Sequence, residues 1–220
     1  MAGNQQVYRL TAVPKEHAEA AYAFHESSGG TFVWPRSLQY IRDLAADGCL
    51  FAAWNADGDP VGLAYAEKLE EDVESWEIGG LTVERNARKH GLGTVLLRFA
   101  LANVFVYHYK HLPYPFPRII AHVLASNKRP RHILPELGFE WRGSVEKPRG
   151  TVPATFPRDA DGLVRGDVFV YTPRGLIDLS KWFDDFDGTL LGNCRCEFDL
   201  GLSSLLLIQG ALRALVAELP

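Results

Sequence analysis

The chain predicts an α+β fold, a mainly antiparallel sheet flanked by helices and followed by a C-terminal extension. Three observations carry this. Apolar runs at 49–54 and 61–67 are joined by Asn55-Ala56-Asp57-Gly58-Asp59-Pro60, whose Asp-Gly step marks a reversal. At Leu92 the apolar period lengthens to helical spacing. Beyond the proline-rich stretch after that helix, short β-type runs alternate with helical ones.

In chain order, residues 7–13 alternate and stop at Pro14, a first strand. Residues 15–27 read as a helix ended by Gly29 and Gly30, and an aromatic loop, Thr31-Phe32-Val33-Trp34-Pro35, leads to a second helix over 36–46. The hairpin 49–54 and 61–67 follows. A run at 76–83, entered through the acidic stretch Glu67, Glu70, Glu71, Asp72, Glu74 and Glu77, completes a four-strand meander. Leu92, Val95, Leu96 and Phe99 share one helix face, continuing to Tyr107 before Pro113, Pro115 and Pro117 forbid helix. Residues 118–124 form a fifth strand. Residues 128–137 form a short helix stopped by Gly138, and 139–145 and 167–171 two more strands around a loop holding Pro148, Pro153 and Pro157. The tail from Arg174 holds an acidic turn at Asp184-Asp185-Phe186-Asp187-Gly188 and a short strand over 194–198. Its closing helix has Leu202, Leu205, Leu206, Leu212, Leu215, Val216 and Leu219 on a broad apolar face that needs a partner surface.

Composition narrows the function. With 220 residues, 47% hydrophobic and 23% charged, the chain can bury a sizeable core and is not a disordered type. A net charge of -4 argues against general nucleic-acid affinity, which needs a basic face. The closing helix carries Gln209 and Arg213 and falls short of the about 20 apolar residues of a membrane span. The N-terminus lacks a basic flank with an apolar run behind it, and the three cysteines, Cys49, Cys194 and Cys196, are an odd number, so a cytoplasmic location is expected. No metal is expected: His17, His25, His108, His111 and His122 lack ligand spacing and read as structural. Asp159-Ala160-Asp161-Gly162 and the turn at Asp185 lack the glutamate of a calcium loop.

The informative motif is a strand running into Arg88-Lys89-His90-Gly91-Leu92-Gly93 and then a helix. That arrangement aims unpaired backbone N–H groups and the positive end of a helix dipole at one point, which suits a phosphate. A Walker A loop is excluded because Thr94-Val95 follows Gly93. A dinucleotide fingerprint is excluded because Leu96 stands where a small residue is needed. What remains, Arg88-x-x-Gly91-x-Gly93 behind a strand ending in Val83, resembles the pyrophosphate loop of the GNAT acyl-CoA-dependent N-acyltransferases. Asn127 after the fifth strand, with Leu137-Gly138-Phe139 beyond it, resembles that family's second CoA-contacting segment.

The resemblance implies a three-layer α/β/α fold over residues 1–173, its sheet splayed between the fourth and fifth strands. An extension over 174–220 would pack on that domain or form a homodimer contact. It implies acetyl-CoA as co-substrate and acetyl transfer to a primary amine of a small molecule, peptide or protein. Leu81 and Val83 would offer backbone groups to the pantetheine arm, with the Leu81 N–H facing the thioester oxygen. Arg88, Lys89, His90, Gly91, Leu92, Gly93 and Thr94 would cradle the pyrophosphate, and Glu77 occupies the place of a general base. Alternation would put Glu77, Gly79, Leu81 and Val83 on one face, with Gly79 and Gly80 leaving room for substrate. Phe32, Trp34 and Phe156 would make an aromatic wall at the acceptor entrance. One departure stands out: where the family often has a tyrosine that protonates the leaving thiolate, this chain has Leu134, with His132 as a candidate substitute. A non-catalytic acyl-CoA sensor and an enzyme for longer acyl chains therefore remain as alternatives.

Overall fold

The computed structural model describes residues 5–69, 75–111, 116–147, 152–192, 194–199 and 205–219. Glu70, Glu71, Asp72 and Glu74 of the acidic stretch, Pro113, Pro115, Pro148 and Leu202 lie outside them.

Strand β1 (Gln6–Ala12) is followed by a short 3-10 turn and helix α1 (Ala18–Ser28). Helix α2 (Leu38–Ala46) starts at Ser37, whose side chain accepts from the Tyr40 amide at 3.1 Å and so satisfies one of the orphan donors of the first turn. Strands β2 (Leu50–Trp54), β3 (Pro60–Lys68) and β4 (Ser75–Val83) then form the meander. The β2–β3 turn is closed by Asn55, whose Oδ1 accepts from the amides of Asp57 and Asp59.

After a 3-10 turn, Ala87–His90, comes α3 (Leu92–His111), then β5 (Arg118–Leu124), α4 (Lys128–Glu136), β6 (Phe139–Lys147) and β7 (Val164–Tyr171). The tail supplies α5 (Pro173–Asp185), β8 (Thr189–Leu190), β9 (Cys194–Asp199) and α6 (Leu205–Ala217). The described strands join one sheet in the order β6-β7-β5-β4-β3-β2-β1-β9-β8. The β4–β5 and β1–β9 ladders are parallel and the others antiparallel.

Two apolar layers pack on the sheet. Helices α1 and α2 cover one face through Ala21, Phe24, Ile41 and Leu44 against Leu50, Ala52, Leu63 and Tyr65. Helix α3 covers the other, and Leu92, Leu96, Phe99, Leu101 and Phe105 are fully buried. Sequence spacing suggested one apolar face for α3, yet it is enclosed almost all round because the tail closes its outer side. Ile208, Ala211 and Leu212 of α6 and Leu176, Leu179 and Phe183 of α5 join the same core. Arg98 of α3 lays its guanidinium over Trp182 of α5, 4.7 Å from the ring centre. By length and composition, Leu92–Lys110 is long and apolar enough to cross a membrane, but 67% of it is buried inside the fold.

Helix α5 corrects the sequence reading, which placed only a turn there. Thr172 caps it by accepting from the Gly175 amide at 3.2 Å, and Pro173 begins it. The tail strand also finds a partner that sequence left open: β9 runs parallel to β1, with Tyr8 opposite Cys196. Cys194 and Cys196 are buried with free thiols.

Candidate active site

Strand β4 organises the site. Its ladder with β5 spans Ser75–Glu77 against Arg118–Ile120. Past that stretch a cavity of about 420 Å³ lies between Ile78–Leu81 on one side and Ala121–Leu124 on the other. On the β3 side the register runs Tyr65↔Gly79 and then Leu63↔Thr82, so Gly80 and Leu81 stand in a bulge opposite Ala64. Gly80 takes φ +64°, a left-handed conformation that glycine adopts without a Cβ penalty.

The bulge changes two expectations. Strict alternation would put Glu77, Gly79, Leu81 and Val83 on one face. The extra residue reverses the parity, and Val83 packs with Trp76 and Ile78 in the α3 core, while Gly79 stays on the Tyr65 side. Nor do the two glycines leave room for substrate. A Cβ on Gly79 would lie 2.7 Å from Tyr65 Oη, and one on Gly80 would lie 2.5 Å from Tyr65 Cδ1 and Cε1. The missing side chains admit the Tyr65 ring.

Glu77 reaches the cavity wall with 21% of its side chain exposed, and His122 Nδ1 of β5 lies 3.3 Å from Glu77 Oε1. His122, expected to be structural, is thus a wall residue beside the candidate base. Asn127 occupies the N-cap of α4, yet its side chain makes no cap hydrogen bond, and it lines the cavity. Leu134 is buried at the cavity floor and in the core, while His132 is exposed and outside the lining. His132 therefore does not replace the absent tyrosine.

At the far end of β4 the turn is built as its sequence suggests. Gly91 closes the 3-10 turn at φ +77°, and α3 begins at Leu92, whose side chain is fully buried. Thr94 and Val95 donate to the Gly91 carbonyl, while the earliest amides of a helix have no partner within it. Gly93 sits against strand β4, its Cβ position 3.4 Å from Val83 Cγ2 and 3.7 Å from Leu81 Cδ2. The side chains are less free than their charges suggest. Arg88 Nε donates to the Val83 carbonyl at 2.7 Å, and His90 Nδ1 donates to the Leu191 carbonyl of the tail at 3.0 Å. Lys89 is exposed.

The aromatic residues of the expected entrance, Phe32, Trp34 and Phe156, all line the cavity, and the Trp34 and Phe156 rings meet edge to face at 5.3 Å. Sequence reasoning missed their neighbours. Arg36 Nη2 donates to Tyr65 Oη at 2.7 Å, and the guanidinium lies over the Tyr40 ring at 4.3 Å. The Tyr40 hydroxyl in turn donates to Glu67 Oε2. Burial pushes the Tyr65 phenol pKa up, with Arg36 acting against that and Glu77 with it, so Tyr65 stays protonated at neutral pH.

Comparison with known proteins places the chain in a family. Residues 4–139 match the acetyltransferase (GNAT) family model. No curated protein sequence matches significantly. Among solved structures, the chain is similar to the ribosomal-protein-S18-alanine N-acetyltransferase of Escherichia coli, with 14% identity, 74% of this chain and 92% of that chain covered, and a TM-score of 0.55. It is similar to the diaminobutyrate acetyltransferase of Paenibacillus lautus, solved with L-2,4-diaminobutyric acid and coenzyme A, with 16% identity, 76% and 95% coverage, and a TM-score of 0.52. A phosphinothricin acetyltransferase from Sinorhizobium meliloti, solved with AcCoA, gives 17% identity, 73% and 85% coverage, and a TM-score of 0.55. Identities this low speak for a shared fold.

Proposed function

The chain belongs to the acetyltransferase (GNAT) family, and on that premise we propose that it transfers an acetyl group from acetyl-CoA to a primary amine held at Glu77. The observation that carries the reading is that one strand, β4, serves both ends of the reaction. It sets Glu77 on the cavity wall, leaves Gly80 and Leu81 without partners in β3, and ends at the left-handed Gly91 turn.

The residues present fit a CoA thioester. The turn at Gly91 and the first amides of α3 suit a pyrophosphate, with Gly93 letting the helix start lie close against Val83 and Leu81 of β4. Leu81 and the amide of Val83, whose carbonyl is already held by Arg88, are offered to an extended arm lying beside β4, and the Asn127 side chain, unused by its own helix, is available to it. Arg88 contributes by tying the turn to the strand end and His90 by tying it to the tail, so their side chains shape the cradle and their backbones join it.

Bound acetyl-CoA supplies an activated acyl group, whose carbonyl carbon exchanges its bond to sulfur for one to nitrogen. Glu77 takes the proton that the amine must lose, a contribution of roughly 10²- to 10⁴-fold in rate. His122 holds the Glu77 carboxylate from the β5 side. The Leu81 N–H, spared from the β3 ladder, stabilises charge on the acyl oxygen, as amides fixed beforehand do at little cost in reorganisation. Leu134 gives no proton, but a thiol pKa of about 8.5 lets sulfur depart as the thiolate.

Glu77→Gln is expected to lower kcat about 100-fold or more while the acetyl-CoA Kd stays within about twofold. Tight acetyl-CoA binding with no turnover on a broad amine panel would favour the sensor reading instead. A kcat for Glu77→Gln close to wild type would remove Glu77 from its role. Location in the cytoplasm and a homodimer joined through the tail belong to the same proposal, the latter checked by light scattering.

A further inference from the structure

The acceptor side of the cavity holds a cation that acyl transfer does not use. Arg36, just ahead of α2, lines the same cavity as Glu77. Its guanidinium is stacked over the Tyr40 ring at 4.3 Å and stands 5.4 Å from the Tyr65 ring centre, with Nη2 donating to Tyr65 Oη. Its Nε is buried without an acceptor, and among the described residues no carboxylate comes within ion-pairing distance. The two nearby acids have other partners, Glu67 the Tyr40 hydroxyl and Glu77 the His122 ring.

Burial costs this guanidinium part of its hydration, and the two phenols and the more distant charge of Glu67 offset that cost and keep it charged, yet no carboxylate pairs with its fork. It is a good binding element. The two rings fix its plane, and a fixed planar fork suits a carboxylate, which accepts two parallel hydrogen bonds. The same cavity carries Glu77, which suits an amine.

We infer that the acceptor is a small amino-carboxylate, its amine at Glu77 and its carboxylate on Arg36, with Tyr65 and Tyr40 acting as positioning residues for the guanidinium. This rests on the acyl-transfer reading of the cavity. The volume of about 420 Å³, shared between the acyl arm and the acceptor, favours a molecule of amino-acid size.

The test uses the full chain with acetyl-CoA and a set of free L-amino acids, each beside its carboxamide and its decarboxylated amine. N-acetyl product is measured by mass spectrometry, and acetyl-CoA binding by calorimetry on the same samples. The acid should exceed its carboxamide in kcat/KM by about 30-fold, the worth of hydrogen bonds to a charged partner. Arg36→Gln should bring that ratio to about one, and Arg36→Lys, which keeps the charge and loses the fork, should leave it between the two. If Arg36→Gln fails to fold, Tyr65→Phe, which removes the acceptor holding Nη2, should lower the ratio severalfold. Carboxamides or decarboxylated amines used as well as acids, a ratio unchanged in Arg36→Gln, or no amino acid acetylated while acetyl-CoA binds would each overturn this inference alone. Failure to bind acetyl-CoA would overturn the acyl-transfer reading and this inference with it.

Discussion

Replacing Gly80 with alanine separates two costs that usually arrive together. Gly80 has φ +64°, and a Cβ there would stand 2.5 Å from two carbons of the Tyr65 ring. Left-handed backbone costs an L-residue about 1–2 kcal/mol. The overlap adds about 1–3 kcal/mol, as overpacking does where the neighbour cannot move. Tyr65 cannot move freely: its ring is 6% exposed, its hydroxyl is held by Arg36, and Tyr40 packs on it edge to face. Gly80→Ala should therefore lose about 2–5 kcal/mol in urea denaturation, or about 4–20 °C in Tm for a chain of this size. Gly91 is the internal control. It has φ +77° with nothing within 4 Å of a built Cβ, so Gly91→Ala should lose the backbone cost alone, about 1–2 kcal/mol. Adding Tyr65→Ala to Gly80→Ala should cost less than the sum of the two single changes, since the overlap disappears with the ring. Equal costs for Gly80→Ala and Gly91→Ala, or strict additivity in the pair, would refute the reasoning.

Other outcomes follow from the same contacts. Buried Asp167 of β7 holds Arg131 Nε of α4 at 3.0 Å, Trp141 Nε1 at 3.1 Å and Ser144 Oγ at 2.9 Å. Asp167→Ala should cost about 1–3 kcal/mol in urea denaturation, because it removes the acceptor of three donors while Arg131 and Trp141, both well exposed, keep access to water. A loss under about 1 kcal/mol would show that the cluster relaxes into solvent. Burial pulls the pKa of His25 below its ordinary value, against a raising hydrogen bond that the ring donates to the Trp34 backbone carbonyl and attraction to Glu26. The unfolded chain then binds the proton more tightly, so this contribution is present above about pH 6.5 and is lost as pH falls below it. His25→Gln should flatten the fall in Tm between about pH 7 and pH 5, and an unchanged slope would assign that fall to other groups. Burial pushes the Cys49 thiol up to about 11 and the Cys196 thiol up to about 12, and raises Cys194 as well. At about pH 8 a thiol reagent should react slowly with the native protein and rapidly with all three cysteines in guanidinium, whereas a fast native reaction would contradict the burial.

Much of the scaffold was legible because its signals are local. The β2–β3 reversal is written in residues 55–60, the start of α3 in the change of period at Leu92, and the turn before it in Arg88 to Gly93. Helix α5 has local signals too: Thr172-Pro173 is a cap and first-turn pair, and Leu176, Leu179 and Phe183 repeat at helical spacing. The acceptor side was harder to read for a physical reason. Arg36 meets Tyr65 across 29 residues of chain and Glu77 meets His122 across a sheet, so neither pair leaves a local pattern. Gly79 and Gly80 announce that space is needed but not what fills it, and the Tyr65 ring was invisible until β3 and β4 were registered with their bulge. The same bulge defeated the alternation argument for Val83, since one extra residue reverses every side chain after it.

The most direct test of the central claim is thermal denaturation of the full chain with and without acetyl-CoA. A ligand at about 100 times its Kd stabilises by about 2.7 kcal/mol, which for a chain of this size is about 5–11 °C in Tm. A rise of that order, saturating with acetyl-CoA, is the predicted result. A Tm unmoved by acetyl-CoA at about 1 mM would mean a Kd too weak for a co-substrate and would contradict the account.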